Sequence, residues 1–425
     1  MASAYSTAQF NKTCSKYLAH YAEQEVVSLA SFPEQFSYQH VLVIPAFQES
    51  LEFVERFVSS LLAEQQCLLI VVVNQPDSAF GQQHSQEQVE LKSDISALGN
   101  DLWQQDNLTL IDLSNCKANS QANSAVLIVD RYTHAIPAEQ GVGLARKIGA
   151  DLAVELSIRG AIASSWIHSS DADAYLPSNY FSAHLPENLA VTHLNDAKTA
   201  VATCCNFYHY SEQTTIHQAN ELYETALRYY VAGLHFAQSP YAYFTIGSIL
   251  SFDIYAYCQA RGFPKRSAGE DFYLLNKLAK LGNVVHLPGV TIKLDARPSQ
   301  RVPFGTGPAV QSIMQLTEQA QDYTYYNPQV FIELKACLHA FNYLWQHRDA
   351  PEIWFDSLSE LSQQALKSIG ILSFITKQQK ANQIQFDKQV IVWFDSFKTL
   401  KFIHALRELG LGNMPLEQAL AKAPF

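Results

Sequence analysis

The sequence has too little positive charge for a protein that binds nucleic acid. It contains 29 lysines and arginines against 40 aspartates and glutamates, and its formal net charge is −11 at pH 7. Phosphate backbones are bound mainly through a surplus of Lys and Arg, so this balance argues against a nucleic-acid partner. Charged residues make up only 16% of the chain and hydrophobic residues 48%, which argues against a disordered protein.

Long apolar runs and paired cysteines are also missing. No stretch reaches the roughly 18 to 20 apolar residues of a membrane span. The N-terminal residues show no basic segment followed by an apolar run, so we expect a cytoplasmic protein without a signal peptide. The seven cysteines are scattered without a CxxC pair, which predicts reduced thiols. The oligomeric state stays open, a homo-oligomer included.

The chain lacks the glycine-rich loops that bind dinucleotides or nucleoside triphosphates. Gly141 and Gly143 begin a predicted helix, but no third glycine follows at the Rossmann spacing and no Gly-Lys-Ser/Thr is present there. Arg146, on the same helix, is a candidate to contact a phosphate or the carboxylates of a neighbouring loop. A solvent-exposed helix face is the equally good alternative for it.

Alternating apolar strands and helices are what the sequence does contain. Residues 40–45, 67–73, 108–112, 125–129, 162–168 and 200–205 have the apolar, β-prone character of buried strands, and residues 50–63 have helical spacing between the first two. Residues 74–77 are predicted to form a turn, and residues 78–107 a polar stretch. Beyond residue 307 the periodicity is mainly helical.

The length of 425 residues exceeds what one hydrophobic core usually supports. We therefore predict an N-terminal helical segment over residues 1–37, an α/β catalytic domain over 38–307 and a helical C-terminal domain over 308–425. The fold class is α/β, with a helical appendage at the C-terminal end.

Two carboxylates, Asp171 and Asp173, follow the predicted strand 162–168. In open α/β sheets, ligands bind at the carboxyl ends of the strands. An Asp-x-Asp pair can hold Mg²⁺ or Mn²⁺ together with phosphate oxygens, and such an ion neutralises a diphosphate leaving group. The alternative is that these residues cap a helix or solvate a turn.

A second acidic pair, Glu270 and Asp271, precedes an apolar helix. Both carboxylates can simply complement the helix dipole at its N-terminus. The functional alternative is a general base that lies within hydrogen-bonding reach of an acceptor hydroxyl, with Asp271 as the candidate.

Three cationic or imidazole side chains complete the candidate site. Arg297 and Arg301 lie in a segment rich in proline and glycine, where they can contact phosphate or belong to an interdomain linker. His286 follows a strand-like run and is a candidate third metal ligand, although a structural histidine is the commoner case.

The order of these motifs resembles glycosyltransferase family 2 and its relatives with the GT-A fold, over residues 38–307. The matching segments are Val41–Glu49 with the family's Pro-x-Tyr-Asn-Glu motif, Val71–Asn74 with its second strand, Gly141–Ala150 with its Gly-x-x-x-Ala-Arg-Asn-x-Gly helix, Asp171–Asp173 with its metal-binding Asp-x-Asp, and Gly262–Pro264 before Glu270–Asp271 with its Gly-Gly-Phe and Glu-Asp pair. Phe47, Gln48 and Asn74 depart from the family's Tyr, Asn and Asp.

The resemblance implies a mixed sheet flanked by helices and a nucleotide-diphospho-sugar donor. It implies that Pro45, Ala46, Glu49 and Asn74 line a nucleoside pocket and that Asp271 activates a hydroxyl acceptor. The expected activity is metal-dependent glycosyl transfer of the hexosyltransferase type. The resemblance does not separate inversion from retention, because relatives similar to mannosylglycerate synthase retain configuration.

Two other functions remain as alternatives. A sugar-nucleotide nucleotidyltransferase shares the α/β domain, but residues 45–50 lack the Gly-rich loop with Arg and Lys that such enzymes carry after their first strand. A non-catalytic nucleotide-sugar-binding protein keeps the fold and loses the chemistry. The joint presence of the two acidic pairs argues against that loss.

Overall fold

The computed structural model describes residues 5–79, 84–113, 116, 124–185, 188–189, 200–297 and 305–425. The chain divides into two compact units. Unit 1 comprises Met1–Ser211 and Thr245–Gly305, and unit 2 comprises Glu212–Phe244 and Thr306–Phe425. The segment 212–244 therefore groups with the C-terminal residues, whereas the sequence-based boundaries put it in the catalytic domain.

The described strands are β1 His40–Ala46, β2 Cys67–Pro76, β3 Asp101–Gln105, β4 Leu108–Asp112, β5 Ala125–Ile136, β6 Trp166–Ser169, β7 Ala174–Tyr175, β8 Ala200–Tyr210, β9 Leu250–Asp253, β10 Asn283–Asp295, β11 Thr324–Tyr325 and β12 Met414–Pro415.

The described α-helices are α1 Thr7–His20, α2 Glu25–Ser28, α3 Glu52–Val58, α4 His84–Ser96, α5 Gly141–Ile158, α6 Thr214–Phe236, α7 Ile254–Gln259, α8 Glu270–Leu278, α9 Thr306–Glu318, α10 Gln329–Leu344, α11 Pro351–Phe355, α12 Glu360–Ser368, α13 Ile371–Gln378, α14 Gln383–Trp393, α15 Ser396–Glu408 and α16 Leu416–Lys422. Short 3₁₀ helices cover Leu29–Ser31, Asp77–Ala79, Ser182–His184, Gly247–Ile249 and Trp345–His347.

Unit 1 is built on a mixed sheet of ten strands in the order β3-β4-β5-β2-β1-β6-β9-β8-β10-β7, within the described ranges. β5, β2, β1 and β6 are parallel neighbours, and β9 is antiparallel to both β6 and β8. β8 and β10 run parallel to each other. The carboxyl ends of β1, β2, β6, β8 and β10 consequently lie at one edge of the sheet. The predicted α/β class with a large mixed sheet is confirmed.

The centre of the sheet is buried on both faces. The seven residues Cys67 to Val73 of β2 are each 0% exposed, which explains the continuous apolar run at this position. Helix α5 packs closely on the sheet because residue 149 has no side chain. A Cβ atom on Gly149 would lie 2.3 Å from Cγ1 of Val43, so β1 and α5 could not approach as they do.

Helix α1 is joined to α5 by a buried polar network. The Tyr17 hydroxyl donates to Oδ1 of Asp151 over 2.5 Å, and Nζ of Lys147 lies 2.8 Å from Oδ2 of the same carboxylate. Tyr257 donates to Asp151 as well, at 3.0 Å. Tyr17, Lys147, Asp151 and Tyr257 are therefore all hydrogen-bonded, and the N-terminal helix belongs to the packed structure of unit 1.

Three imidazoles pack together in unit 1, from His40 of β1, His168 of β6 and His184 of the 3₁₀ helix Ser182–His184. The ring of His168 lies with its centroid 4.6 Å from that of His184 and 6.1 Å from that of His40. Nδ1 of His184 donates to the carbonyl of Tyr180, so its Nε2 accepts from the hydroxyl of Thr203. Burial lowers the pKa of His184 to about 4 and the pKa values of the other two histidines below the usual range.

Unit 1 is therefore expected to lose stability in mild acid. Because the pKa of His184 is lowered in the folded state, the unfolded chain takes up a proton on this histidine below about pH 6.5, whereas the folded chain does so only near pH 4. Between these two pH values, protonation therefore favours the unfolded chain. Between pH 7 and pH 5 the wild type should lose about 2 kcal/mol more than His184→Asn, which still donates to Tyr180 but does not titrate. Urea unfolding at both pH values measures the difference, and equal losses in the two proteins would contradict the assignment.

Unit 2 is mainly helical, as the periodicity predicts. Helices α6 and α10 to α16 surround a core whose largest members include Phe331, Trp354 and Phe402. The buried residues of α9, Val310 and Ile313, form a smaller cluster with Ala219 of α6. In α6, Gly233 lies against the ring of Phe331, where a Cβ atom would come within 2.6 Å of Cδ1. The strands β11 and β12 add a small antiparallel pair. No helix in the described ranges has the length and apolar character needed to cross a bilayer.

Candidate active site

Arg146 lies between the two acidic pairs, Asp171 with Asp173 and Glu270 with Asp271. Its Nη2 is 2.5 Å from Oδ1 of Asp171, and its Nε is 2.9 Å from Oε1 of Glu270. Nη1 donates to the hydroxyl of Ser169 and to the carbonyl of Ser170. The side chain of Arg146 is only 3% exposed. The guanidinium fork thus joins the end of β6 to the start of α8.

The space for this guanidinium depends on a glycine in the neighbouring 3₁₀ helix. A Cβ atom on Gly247 would lie 2.4 Å from Nη2 of Arg146. A side chain at residue 247 and the observed position of Arg146 are therefore incompatible.

The two aspartates of the Asp-x-Asp tripeptide face different surroundings. Asp171 is paired with the buried arginine, whereas Asp173 lines a cavity. The backbone between them is held from two sides, because Arg56 donates to the carbonyl of Ala172 and the amide of Asp295 donates to the carbonyl of Asp173. These two hydrogen bonds hold the backbone of the Asp-x-Asp loop in place.

Helix α8 begins with the second acidic pair. Gly269 precedes it with φ 72°, a left-handed conformation that glycine adopts without strain. Glu270 is buried and paired with Arg146, while Asp271 is half-buried and accepts a hydrogen bond from the amide of Phe272 at 2.7 Å. Both carboxylates also lie in the first turn, where the helix dipole favours them.

Asp271 has the properties of a general base that works near neutral pH. Burial, together with the negative charge of Glu270, raises the pKa of Asp271 to about 7, and the charge of Arg146 opposes this rise. A carboxylate whose pKa lies near the working pH combines a populated basic form with a strong tendency to take a proton. Structural ion pairs can shift a pKa as well, and Asp271 interacts electrostatically with Arg146 and with Asp171, which follows β6.

A cavity of about 250 Å³ opens beside the Asp-x-Asp loop. It lies at the carboxyl ends of β1 and β10, the edge at which ligands bind in open α/β sheets. Its lining residues are Gln48, Glu49, Ser50, Glu52, Phe53, Arg56, Ala172, Asp173, Asp295 and Arg297.

An ion pair joins two walls of this cavity. Nη2 of Arg297 lies 2.5 Å from Oε1 of Glu49, whose side chain is 12% exposed against 41% for the arginine. Two arginines, Arg56 and Arg297, therefore face a cavity that also contains carboxylates. Guanidinium groups can form paired hydrogen bonds to phosphate, and carboxylates can accept hydrogen bonds from sugar hydroxyls.

The structure brings together only part of the predicted site. Glu49, Arg297 and Asp173 line the cavity, and Asp171, Glu270 and Asp271 surround Arg146. Pro45 and Ala46 end β1, and Asn74 is buried in β2; the described lining of the cavity includes none of these three. Arg301 lies outside the described residues.

His286 is not placed with the acidic residues. It is exposed in the first part of β10, whereas the other end of this strand, at Asp295, meets the Asp-x-Asp loop. Eight residues of strand lie between the two positions, which corresponds to roughly 20 Å or more. The strand's length therefore excludes His286 as a third ligand beside Asp171 and Asp173.

Within the described ranges, no group of three or more His, Cys, Asp and Glu side chains is arranged to hold a metal ion. Mg²⁺ and Mn²⁺ at phosphate sites need fewer protein ligands, because water and phosphate oxygens complete their coordination. Asp173 at the cavity, with Asp171 nearby in the same loop, fits that mode of binding.

Several cavity residues were not singled out from the sequence. Glu52 and Arg56 lie four residues apart on the polar side of α3, a pattern that usually marks a solvent-exposed face. Asp295 ends β10 at the same edge as Asp171. Asp295 could have been predicted as a site residue because ligands bind at the carboxyl ends of strands. The sequence did not show that β10 extends as far as Asp295.

Comparisons with known proteins give structural likeness only. No family model and no curated protein matches the chain. S. aureus TarS, residues 1–349, in complex with UDP is similar with a TM-score of 0.35 and 10% identity, over 90% of this chain and 91% of that one. The mannosyltransferase PcManGT from Pyrobaculum calidifontis, in complex with GDP-Man and Mn²⁺, has a TM-score of 0.36 and 14% identity, over 95% and 97%. Likeness at this level does not assign an activity.

Proposed function

We propose that unit 1 transfers a sugar from a nucleotide-diphospho-sugar to a hydroxyl acceptor with the help of Mg²⁺ or Mn²⁺, as the resemblance to GT-A glycosyltransferases implies. The observation that carries the proposal is the position of Asp271, a carboxylate with a pKa near 7, in one charged network with Asp171 beside a cavity that contains Asp173. Residues of this kind at a strand-end crevice suit proton transfer and phosphate binding.

The donor is assigned to the cavity. Arg56 and Arg297 would contact the diphosphate, and Glu49 would accept hydrogen bonds from sugar hydroxyls. Asp173 would hold the metal ion directly and Asp171 through water, and the ion would neutralise charge on the leaving diphosphate. Pro45, Ala46 and Asn74, at the neighbouring strand ends, remain proposed contacts of the nucleoside.

The acidic network is assigned to the acceptor. Asp271 takes the proton from the acceptor hydroxyl as that oxygen attacks the sugar carbon, and the bond to the nucleoside diphosphate breaks. Glu270 and Arg146 act as positioning residues, because they hold the start of α8 next to the Asp-x-Asp loop. Arg146 also limits how far the pKa of Asp271 rises.

Thermal-shift measurements with UDP-, GDP-, ADP- and CDP-sugars, each with and without Mn²⁺, test the proposal. A ligand that binds only the folded protein raises its apparent stability, so one nucleotide class should raise the melting temperature by about 3 °C or more in the presence of Mn²⁺. Asp171→Asn and Asp173→Asn should abolish the metal-dependent part of this shift.

Asp101→Asn is the matched control, because Asp101 is exposed on β3 in the same unit and distant in sheet order from the site. It should behave as the wild type. If no nucleotide sugar shifts the wild type, or if the Asp171 and Asp173 variants keep the full Mn²⁺-dependent shift, the assignment of the metal to this loop is wrong.

A further inference from the structure

One face of the sheet in unit 1 exposes tyrosines at alternate positions of β8. Tyr208 is 44% exposed and Tyr210 is 42% exposed. Phe207, which precedes them, and His209, which lies between them, are buried. Because side chains alternate across a strand, the two tyrosines project from the same face. Exposed together on one strand, the two rings form a small aromatic surface.

The neighbouring strands extend this aromatic surface. Lys293 of β10 is the register partner of both Tyr208 and Tyr175. Its Nζ lies 4.3 Å from the ring centroid of Tyr175 and 4.8 Å from that of Tyr210. Lys293 thus lies between the two rings and contacts both through cation–π interactions. We call Tyr175, Tyr208, Tyr210 and Lys293 the tyrosine platform.

The platform continues directly from the cavity. Asp295, which lines the cavity, is the register partner of Tyr210, and paired residues of neighbouring strands lie on the same face about 5 Å apart. Arg56, another lining residue, has its Cζ 3.9 Å from the ring centroid of Tyr175. A molecule bound on the platform can therefore reach into the cavity without crossing another element of the sheet.

We propose that the tyrosine platform binds a carbohydrate and that this carbohydrate is the acceptor, an inference that rests on the proposed sugar transfer. A sugar ring has an apolar C–H face that packs on an aromatic ring, and hydroxyls at its edge that need polar partners. The phenol groups of Tyr208 and Tyr210 provide both, because tyrosine has an apolar body and a polar end. Lys293 and Asp295 supply a donor and an acceptor alongside the rings.

The chemistry of the platform favours a carbohydrate over the other occupants of such surfaces. A protein partner would need a larger apolar area than these rings offer, and Lys293 and Asp295 are charged within that area. A nucleic-acid chain stacks on aromatic rings only where a basic groove follows its backbone, and the protein as a whole carries a net charge of −11. A carbohydrate needs neither a large apolar area nor a basic groove.

Binding to an array of neutral, N-acetylated and uronic-acid-containing oligosaccharides tests the proposal without requiring catalysis. The wild type should bind at least one class, and Tyr208→Ala combined with Tyr210→Ala should weaken that binding about ten-fold or more. Tyr208→Phe combined with Tyr210→Phe keeps the rings and should keep most of the affinity. Tyr343→Ala removes a tyrosine that is 50% exposed in unit 2 and should change nothing.

The outcomes separate this inference from the proposed transferase activity. If no oligosaccharide binds, or if the double alanine variant binds as well as the wild type, the platform is not a carbohydrate site. Nucleotide-sugar thermal shifts, measured on the same proteins, report on the donor cavity independently. If the protein binds oligosaccharides through the tyrosines but binds no nucleotide sugar, the tyrosine platform is supported as a carbohydrate site and the proposed sugar transfer is contradicted.

Discussion

Replacement of Asp271 by asparagine is expected to lower the rate of sugar transfer by about 10²- to 10⁴-fold, the usual contribution of a general base. Asparagine has nearly the same shape and keeps an oxygen that accepts the amide hydrogen bond of Phe272, so the start of α8 should be preserved. Its amide cannot take a proton from the acceptor. The release of nucleoside diphosphate from the nucleotide sugar that binds best, in the presence of Mn²⁺, measures the rate even when water is the acceptor.

The control for this variant is another aspartate at a helix start. Asp395 accepts hydrogen bonds from the amides of Phe397 and Lys398 at the start of α15 in unit 2. Asparagine caps a helix as well as aspartate does, so Asp395→Asn should keep the wild-type rate. An Asp271→Asn protein that keeps its rate would remove Asp271 as the base and favour a non-catalytic role for the acidic pair.

The same carboxylate sets an expected pH dependence. With the pKa of Asp271 raised to about 7, the basic form is lost below that value, so kcat/KM should fall by about ten-fold per pH unit on the acid side.

The contribution of Asp271 to the stability of the fold has the opposite pH dependence. Because the folded pKa exceeds the unfolded one, the contribution of Asp271 to stability is present in acid and is lost as pH rises through 7. Asp271→Asn should therefore melt at a higher temperature than the wild type at pH 8.

The sequence was sufficient to predict the centre of the sheet because its strands are buried on both faces. β1 and β2 are continuous apolar runs, and α5 combines helical spacing with glycines. The end of β2 was predicted wrongly. Residues 74–77 have turn-forming composition, but Asn74 pairs with Arg131 of β5, and Pro76 with Ile136, so the strand continues to Pro76. Pairing with a neighbouring strand outweighs local preference here.

Residues 78–107 show a second limit of the sequence. They contain α4 and β3, although the segment reads as polar. Only one side of α4 is buried, and one of its buried residues is Gln88, which weakens the apolar periodicity left by Leu91 and Ile95. A helix that contributes so few apolar side chains to a core has little signal in its sequence.

The candidate site was predictable where it follows strand ends and not where it depends on sheet order. Asp171 and Asp173 follow a buried strand and were found on that basis, whereas Glu49 was named from the family resemblance. Arg146 was left with two equal alternatives, because helical spacing alone does not show which carboxylates face it. The contacts between Tyr175, Lys293 and Tyr210 arise because β8, β10 and β7 are neighbours in the sheet. No local sequence pattern shows this strand order, so the contacts could not be predicted.

Replacement of Arg146 by methionine is expected to destabilise unit 1 by about 3–5 kcal/mol, because removing one partner of a buried ion pair leaves uncompensated charge. Asp171, Glu270 and Asp271 would then repel one another around an apolar side chain. The free energy of unfolding in urea, followed by fluorescence, measures the loss. The loss should be smaller at pH 5.5 than at pH 7.5, since the remaining carboxylates take up protons more readily without the arginine.

Arg159→Met is the matched control, because Arg159 follows directly on the last residue of the same helix, α5. Arg159 pairs with Glu155 at 2.7 Å, but its side chain is 36% exposed, and exposed pairs four residues apart contribute at most about 0.5 kcal/mol. If Arg146→Met does not fold, Arg146→Met combined with Glu270→Met tests the same point. Replacing both members of the buried pair by apolar groups removes the buried charge of Glu270, and it leaves Asp171, whose side chain is 32% exposed, without its arginine. Equal losses in the Arg146 and Arg159 variants would mean that the network does not hold the two acidic pairs together, and the geometry assigned to the base and the metal loop would lose its physical support.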